Sequence, residues 1–422
     1  MREKYDVKEL VKKWSNTEKY KGMSVENLPE AQQETMSILL ENHDTLNLDK
    51  EMLAESQFAN SISSISQLDH GSVYKPLTMA LVRRTFPALF AQKIVPVQAM
   101  NFPVGIAFAL RVLYQDISNG NTGVEMAWDN IQAYSGFSGS TSGTSGTYST
   151  SGSGTGVYTS AAEAWQIGST YPQAKIKLDQ TAIVAKTRKL AASWSLESSQ
   201  DISALHQIDI DRLVLETLQY EVLAELDREL IAKIKTTAVT GTGGEAAKQF
   251  DLTTTAVSNS SYIDGRWSQE QISQIVTSII HQSNKISKST RRGRGNFAVV
   301  SSAVATALQS ARPMFTGIDT NVTGPNPSVA EIGTLNGDIK IYLDQYATDD
   351  YSCVGYNGNT VQDGGVIYSP YLWSVNRAIA QEDFSPRIGV MDRYALTDSL
   401  LGSGRYYRLN TYSNMSKVVP GA

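Results

Sequence analysis

The segment from Met79 to Tyr114 most constrains what this chain can fold into. It combines many apolar residues with three prolines and three arginines, Arg83, Arg84 and Arg111, and it contains no acidic residue. Such a segment cannot neutralise its own charge, and its apolar side chains are unfavourable in water. It also lacks Cys and His, and no general base stands beside Thr85. The segment therefore predicts contacts with protein surfaces rather than with a substrate, which favours assembly over catalysis.

Length and charge distribution limit the number of domains and the kind of partner that this chain can have. The 422 residues are enough for two or three units of usual domain size and for a real core. Residues 1–55 carry eight Lys or Arg against twelve Asp or Glu, a net charge of −4, whereas the remaining residues carry −1. A nearly neutral body suits self-association more than nucleic-acid binding, for which a basic face would be expected.

Targeting and redox signals indicate an ordinary cytosolic product. The chain has no uncharged apolar run of about 18 residues that could span a bilayer, and its first residues lack the apolar core of a secretion signal. Its single cysteine, Cys353, cannot form an intrachain disulfide. We therefore expect a soluble protein that is synthesised in a reducing cytoplasm and has no membrane partner.

The N-terminal quarter divides by composition. Helix-permissive charged stretches at Tyr5–Trp14 and Glu30–Asn42 are separated by Gly22 and Pro29, which predicts a charged leader rather than a domain over residues 1–55. Residues 56–78 are polar and rich in serine, as expected of an extended arm.

A low-complexity tract predicts a long excursion of the chain. Ser135–Ser160 consists almost entirely of Gly, Ser and Thr, so it cannot bury enough apolar surface to offset its chain entropy. Its flanks, Val112–Tyr114 and Ala174–Leu178, have strand-like composition. Together they predict a two-stranded excursion with a mobile tip, and a loop of this length is usually functional.

The rest of the chain is predicted to be α+β. Residues 174–197 alternate as paired strands do, and Asp201 is expected to open a helix of about 34 residues, roughly 50 Å long. Its predicted apolar face comprises Ile208, Leu215, Leu218, Val222, Leu226, Leu230 and Ile234. Further helices are predicted at 268–288 and 303–310, with short strands at 297–300, 339–343, 352–356 and 365–368 and a strand-rich segment over 377–412.

No local motif supplies chemistry. The four histidines are scattered, there is no P-loop, and the serines of the low-complexity tract never form Gly-x-Ser-x-Gly. The basic cluster Arg291, Arg292 and Arg294 could contact nucleic acid or a neighbouring subunit, or could be a solvated connection. The aspartates between residues 344 and 363 are more typical of turns than of a metal site. We therefore expect no catalytic residue, no cofactor and no metal.

Several long segments carry a family resemblance. They include LVRRTFPALFAQKIVPVQAMNFPVGIAFALR at 81–111, AIVAKTRKLAASWSLESSQDISALHQIDID at 182–211 and GDIKIYLDQYATDDYSCVGY at 337–356. LAELDRELIAKI at 223–234, RRGRGNFAVVSS at 291–302 and GGVIYSPY at 364–371 follow the same order. On these residues the chain resembles the major capsid proteins of T-even-type myoviruses, which have the HK97-like capsid fold.

The resemblance implies a subunit that forms hexameric capsomers of an icosahedral head shell, enclosing packaged DNA as non-specific cargo. It implies an N-terminal arm over 56–112, an extended E-loop over 113–173 and a peripheral domain with a long spine helix over 174–259. An axial domain would follow over 260–372, with a return to the peripheral domain over 373–422.

The resemblance also implies partners and a processing site. A prohead protease of this family cuts after Leu/Ile-x-Glu, which transfers to Leu53-Ala54-Glu55 and would leave Ser56 first. The expected partners are further copies of the chain, a vertex protein, a portal, a scaffold, the protease and decoration proteins. We add the hypothesis that Arg83, Arg84, Arg111 and Arg188 make salt-sensitive contacts between subunits.

Two other classes remain open. A pentameric vertex protein or a nanocompartment shell would share the fold and differ in particle geometry and cargo. A surface-array protein would explain the Ser/Thr/Gly tract but would need an export signal.

Overall fold

The computed structural model describes residues 7–15, 25, 32–42, 90–115, 122–125, 159, 163, 173–206, 210–252, 261–262, 268–311, 315–317, 329–358, 360, 363–380 and 385–419. The helices within them are α1 (Val7–Ser15), α2 (32–42), α3 (Ala91–Ile94), α4 (Leu196–His206), α5 (Ile210–Thr240), α6 (Ser268–Thr290) and α7 (Ser302–Ser310).

The strands of the described residues form three sheets. In chain order they are β1 (Val104–Gln115), β2 (Thr122–Glu125), β3 (Gln173–Val184), β4 (Lys186–Ser193), β5 (Lys248–Asp251), β6 (Ser261–Tyr262), β7 (Phe297–Val300), β8 (Phe315–Gly317), β9 (Val329–Leu335), β10 (Ile339–Asp344), β11 (Tyr351–Gly355), β12 (Val366–Ile379), β13 (Pro386–Asp398) and β14 (Tyr407–Ser413). The sheet orders are β2-β1-β3, β12-β13-β4 and β6-β5-β14-β11-β7-β10-β9-β8.

The first sheet is built on a long β1–β3 hairpin. The two strands are antiparallel and stay in register over their whole length, from Val104 opposite Val184 to Gln115 opposite Gln173. The strands predicted on either side of the low-complexity tract are therefore confirmed. The tract itself, apart from Thr159, lies outside the described residues.

The main core lies between helix α5 and the second sheet. Helix α5 contacts β4, β12 and β13, and it also contacts β14 of the eight-stranded sheet. Its predicted apolar positions from Leu215 to Ile234 are buried, as the 3.6-residue period requires. Tyr368, Val390 and Tyr394 pack against it from the sheet. Helix α5 thus joins the second sheet, β12-β13-β4, to the eight-stranded sheet.

The eight-stranded sheet is mixed and has its own core. Strands β7 and β10 are parallel, whereas β11 runs antiparallel to both β7 and β14. The apolar sides of α6 and α7 pack on this sheet, with Ile275, Ile279 and Val304 fully buried. The Asn336-Gly337 pair forms the tight β9–β10 turn with positive φ at both residues, as such turns require. These elements confirm the predicted α+β class.

Three sequence-based details differ from the structure. Helix α4 begins at Leu196, before Asp201, because the Ser195 hydroxyl accepts a hydrogen bond from the Ser198 N–H and caps the helix there. The expected single helix is divided into α4 and α5, and residues 207–209 between them lie outside the described residues. The strands of 174–197 do pair, but β3 pairs with β1 and β4 pairs with β13.

The expected end of the axial domain falls inside a strand, and the segment that follows it contributes to two sheets. Position 372 falls inside β12, because the ladder with β13 already begins at Val366. The segment after 373 does not all return to the β12-β13-β4 sheet, which is called the three-stranded sheet from here on. Strand β14 pairs instead with β11 and β5 in the eight-stranded sheet. The membership of each sheet is determined by pairing between strands that are far apart in sequence. Local composition does not predict that pairing.

The N-terminal helices are part of the body. Helices α1 and α2 occur where helix-permissive sequence was noted. They do not stand apart as a separate leader, however, because Trp14, Met36 and Leu40 are fully buried in the main core.

Candidate inter-subunit surface

One face of the β1–β3 hairpin is apolar and exposed. Alternate residues of a strand point to the same face, and on this face the cross-strand partners are apolar at almost every step. Leu110 is 64% exposed and Phe108 is 57% exposed. Only Gln180 interrupts the series. The exposed large apolar residues of this surface, called here the hairpin face, are Val104, Ile106, Phe108, Leu110, Val112, Ile176, Leu178 and Val184.

The opposite face of the same hairpin carries its charges. Arg111 Nη1 donates to Asp179 Oδ2 at 2.9 Å, and Lys177 Nζ lies 3.0 Å from Asp179 Oδ1. Hydrogen bonds from Arg111 and then from Lys177 lower the pKa of the Asp179 carboxyl. Ala109 and Leu113 are buried on this side. The polarity of the hairpin is therefore divided between its two faces, and the apolar one is exposed.

The sequence determines this division through strand alternation. In β3 the charged residues Lys175, Lys177 and Asp179 occupy one parity, and Ile176 and Leu178 occupy the other. Antiparallel pairing then places the apolar parity of β3 beside the branched and aromatic residues of β1. A shift of one residue would turn every side chain to the other face, so the register is well specified.

A second charged cluster ties the three-stranded sheet to helix α5. Arg188 on β4 reaches Glu225 and Glu229 on α5, each at 2.5 Å, and its Nε donates to the Tyr394 hydroxyl at 2.5 Å. The Tyr394 hydroxyl in turn donates to Glu229. Burial opposes the charge of Glu229, yet the hydrogen bonds from Tyr394 and Arg188 lower the pKa of its carboxyl.

Asp392 lies close to this cluster and is buried. Its Oδ2 accepts no hydrogen bond within the described part of the chain. Burial raises the pKa of the Asp392 carboxyl to about 7, although the charge of Arg188 acts in the opposite direction. Within the described residues Arg188 pairs with Glu225 and Glu229 and forms no ion pair with Asp392.

Two of the site residues expected from sequence, Arg111 and Arg188, lie within the described residues, and they are on different sheets. Leu53, Glu55, Ser56, Arg83 and Arg84 lie outside the described residues. Arg111 is on the charged side of the hairpin, and Arg188 is on the three-stranded sheet. Both described arginines form ion pairs within their own chain. Their role between subunits stays a prediction.

Sequence reasoning identified the segment that contains β1 but missed the hairpin face. Within β1 alone both parities are largely apolar, because Ala107, Ala109 and Leu113 alternate with the exposed residues. The usable signal was in the partner strand, where only one parity carries charge. Aligning β3 antiparallel to β1 would have shown that the uncharged parity of β3 lies beside Phe108 and Leu110.

The described residues contain neither a metal-binding cluster nor a helix that could span a membrane. Within the described ranges, no three His, Cys, Asp or Glu side chains are grouped so that they could hold a metal ion. None of the helices in that part of the chain is both long enough and apolar enough to cross a membrane.

An exposed apolar sheet face opposite a paired charged face is typical of a subunit of a larger assembly. The profile of the family described as major capsid protein Gp23 matches residues 72–418. The chain belongs to this Gp23 family of major capsid proteins.

Individual relatives are distant but extensive. The chain is 27% identical to the major capsid protein of Vibrio phage KVP40 over 480 aligned residues, covering 92% of each chain. It is 28% identical to the major capsid protein of Enterobacteria phage T4 over 398 residues, covering 76% of this chain and 74% of the relative. A solved structure described as the capsid of Myoviridae phage XM1 is similar with a TM-score of 0.39 and 13% identity, covering 76% of this chain and 91% of that one.

Proposed function

We propose that this chain is the principal subunit of a phage head shell, in which copies associate as hexameric capsomers of an icosahedral lattice around packaged DNA. Membership of a family of major capsid proteins supports this function and a location in the virion. The observation that carries it is the hairpin face, which needs an apolar partner. A second copy of the same chain is the partner that a shell provides at every position.

The size of the hairpin face fits reversible assembly. Complete burial of a Val, Leu, Ile or Phe side chain gains about 1.5–3 kcal/mol. Because the eight residues of this face are already about half covered, they offer on the order of 10 kcal/mol. Association costs about 4–15 kcal/mol in lost freedom, which leaves a modest net affinity for one contact. Many such contacts closed into a symmetric shell give cumulative stability, while each single contact can still dissociate and be corrected.

The parts of the HK97-like fold can be assigned on this proposal. The β1–β3 hairpin with the segment it spans would be the E-loop, and α5 would be the spine helix. The three-stranded sheet under α5 would belong to the peripheral domain, and the eight-stranded sheet with α6 and α7 would form the axial domain. The N-terminal arm, expected over 56–112, would then end where β1 begins at Val104.

The proposed partners follow from the same assignment. They are a vertex protein, a portal, a scaffold, a prohead protease and decoration proteins, with DNA as cargo that is not read by sequence. Processing is proposed after Leu53-Ala54-Glu55, so that Ser56 would become the first residue. A structural rather than catalytic role is in keeping with relatives that are named capsid proteins.

The test is to place charge on the hairpin face. The double variant Phe108→Lys/Leu110→Lys should prevent shell formation, because two cations would have to be buried without partners. Leu205→Lys is a matched control, since this leucine of α4 is also exposed and lies outside the hairpin. Electron microscopy and sedimentation of parent and variants would be compared at equal concentration. Normal shells from the double variant would exclude the hairpin face as a subunit contact.

The arginine and processing hypotheses need separate measurements. Charge reversal in Arg83→Glu/Arg84→Glu should block assembly while leaving the circular dichroism of the subunit unchanged. Shells that form normally from that variant would rule out the arginine contacts. Mass spectrometry of particles made with the neighbouring genes should find Ser56 at the N-terminus, and an intact Met1 in mature particles would reject the processing site.

Two related functions would give different particles. A vertex protein would form pentamers or require a hexamer-forming partner, and a nanocompartment shell would enclose protein in place of DNA. The lattice and the contents of the particles in the same micrographs would distinguish them.

A further inference from the structure

The N-terminal helices α1 and α2 are folded against each other. Trp14, 1% exposed, donates from Nε1 to Glu41 Oε2 at 3.2 Å, and Lys13 Nζ contacts the same oxygen at 2.6 Å. The backbone N–H of Val25 donates to the Trp14 carbonyl at 3.2 Å. The leader therefore has its own polar contacts in addition to the apolar side chains that it buries in the main core.

One side chain of α2 reaches the base of the hairpin. Asn42 is 3% exposed, and its Nδ2 donates to the Met100 carbonyl at 2.9 Å and to the Tyr371 carbonyl at 3.0 Å. Both N–H groups of the amide can thus be used, one for each carbonyl. A single buried side chain connects the leader to two segments that are far apart in the sequence.

Those two segments meet where the hairpin leaves the body. Tyr368 N–H donates to the Pro96 carbonyl at 3.1 Å, Gln98 N–H donates to the Tyr368 carbonyl at 2.9 Å, and Met100 N–H donates to the Pro370 carbonyl at 2.9 Å. The chain from 96 to 100 therefore runs along the free edge of β12 and turns away after Met100 into β1. Asn42 binds at the last step before that turn.

The second acceptor is made available by a β-bulge. The register of β12 with β13 shifts between Pro370 and Leu372, which makes Tyr371 the extra residue. Its carbonyl oxygen accepts the Asn42 hydrogen bond at this irregular step. The site is thus formed by one bulge carbonyl, one edge carbonyl and one buried amide.

We propose that the leader is an intrachain brace, in which Asn42 fixes the base of the β1–β3 hairpin to the three-stranded sheet. The brace sets the direction in which the hairpin leaves the body and presents the hairpin face. The consequence for assembly rests on the proposed shell function, and removal of the leader after Glu55 would remove the brace.

Amide hydrogen exchange on the unassembled full-length chain tests the brace directly. Asn42→Ala removes both donors, whereas Ser37→Ala removes only a hydrogen bond from Ser37 to the Glu34 carbonyl within α2. We expect Asn42→Ala to accelerate exchange of the Gln98 and Met100 amides about tenfold, because two buried hydrogen bonds are lost. Ser37→Ala should leave these amides at the parental rate, and α6 in the second core should be unchanged in both variants.

Asn42→Asp provides a second variant of the same shape without amide donors. It should accelerate the same amides at least as much, because a carboxyl would face two carbonyl oxygens. Parental rates at Gln98 and Met100 in both Asn42 variants would overturn the brace, as would equal acceleration by Ser37→Ala. The measurement needs no particle, so failure of the chain to form shells would count against the proposed function and leave the exchange result intact.

Discussion

The hairpin and the three-stranded sheet are both long antiparallel ladders, but their apolar faces have different outcomes. In the sheet, Ile388, Val390 and Tyr394 are buried beneath α5. In the hairpin, the equivalent face bears Phe108 and Leu110 in an exposed position. The comparison teaches that the chain covers the apolar face of the β12-β13-β4 sheet with its own helix and leaves the apolar face of the hairpin exposed.

The largest expected contrast comes from the same substitution in the two regions. Leu230→Ala should lower the free energy of unfolding by about 2–5 kcal/mol, because Leu230 is 1% exposed and a cavity would remain. Leu110→Ala should change it by no more than about 0.5 kcal/mol in the unassembled chain. Urea unfolding followed by circular dichroism measures both. A large loss for Leu110→Ala would mean that the hairpin face is already covered within the chain.

Loss of an arginine should also destabilise the chain more in the three-stranded sheet than in the hairpin. Arg188→Met leaves Glu225 and Glu229 without their cation at the partly buried contact with α5, and we expect a loss of about 1–3 kcal/mol. Arg111→Met removes an ion pair from the hairpin and should cost less. Methionine retains most of the apolar stem in both variants. Thermal unfolding would compare them, and a larger effect at Arg111 would contradict the contrast.

The stability of the chain should depend on pH through Asp392, which is buried in the three-stranded sheet. Because burial raises the folded-state pKa of Asp392 to about 7, the native state retains a proton that the unfolded chain releases near pH 4. The contribution of this group to stability is therefore highest at low pH and falls as the pH rises from about 4 to about 7. Asp392→Asn removes the titration, so its stability relative to the parent should rise by about 1–3 kcal/mol between pH 5 and pH 8.

Urea unfolding of the parent and of Asp392→Asn at the two pH values would show this difference. Glu229 has a lowered pKa, so its carboxyl is largely ionised in the folded and unfolded states between pH 5 and pH 8 and adds little to the difference. A constant difference between the two proteins would refute a raised pKa at Asp392.

The smallest effect is expected for Leu110→Ala on the chemical labelling of Cys353, a buried residue outside the hairpin. Burial raises the pKa of its thiol to about 12, despite the nearby charge of Lys235, so the native protein should react very slowly with iodoacetamide. Leu110→Ala should leave the labelling rate within about twofold of the parent, whereas Leu230→Ala should raise it more than about tenfold. Faster labelling caused by the hairpin variant would show that the two regions open together.

Local pattern was sufficient for most secondary structure. The 3.6-residue period placed the buried side of α5 correctly, and the elements predicted at 268–288, 297–300, 303–310, 339–343 and 352–356 lie within a few residues of α6, β7, α7, β10 and β11. The short strand predicted at 365–368 is in fact the start of the 14-residue strand β12. These elements are specified by their own residues, since each has a periodic apolar side and clear breakers. The family resemblance in the same segments predicted the family to which the chain belongs.

Contacts between distant residues could not be predicted. Strand β4 pairs with β13, about 200 residues later in the sequence. Asn42 donates to the carbonyl of Tyr371, which is 329 residues later. The burial of Asp392 likewise depends on α5 lying over its strand. None of these partners is marked by a spacing or a motif, because the fold alone brings them together.

The position of β14 in the large sheet has a consequence for synthesis. This strand lies between β5 and β11, although it is the last strand of the described chain. A ribosome must therefore translate through Ser413 before the centre of that sheet can close, whereas the hairpin residues emerge about 230 residues earlier. The nascent chain therefore exposes the apolar hairpin face while the rest of the subunit is still being translated. Chaperones and nascent chains on neighbouring ribosomes can contact this face before the subunit is complete.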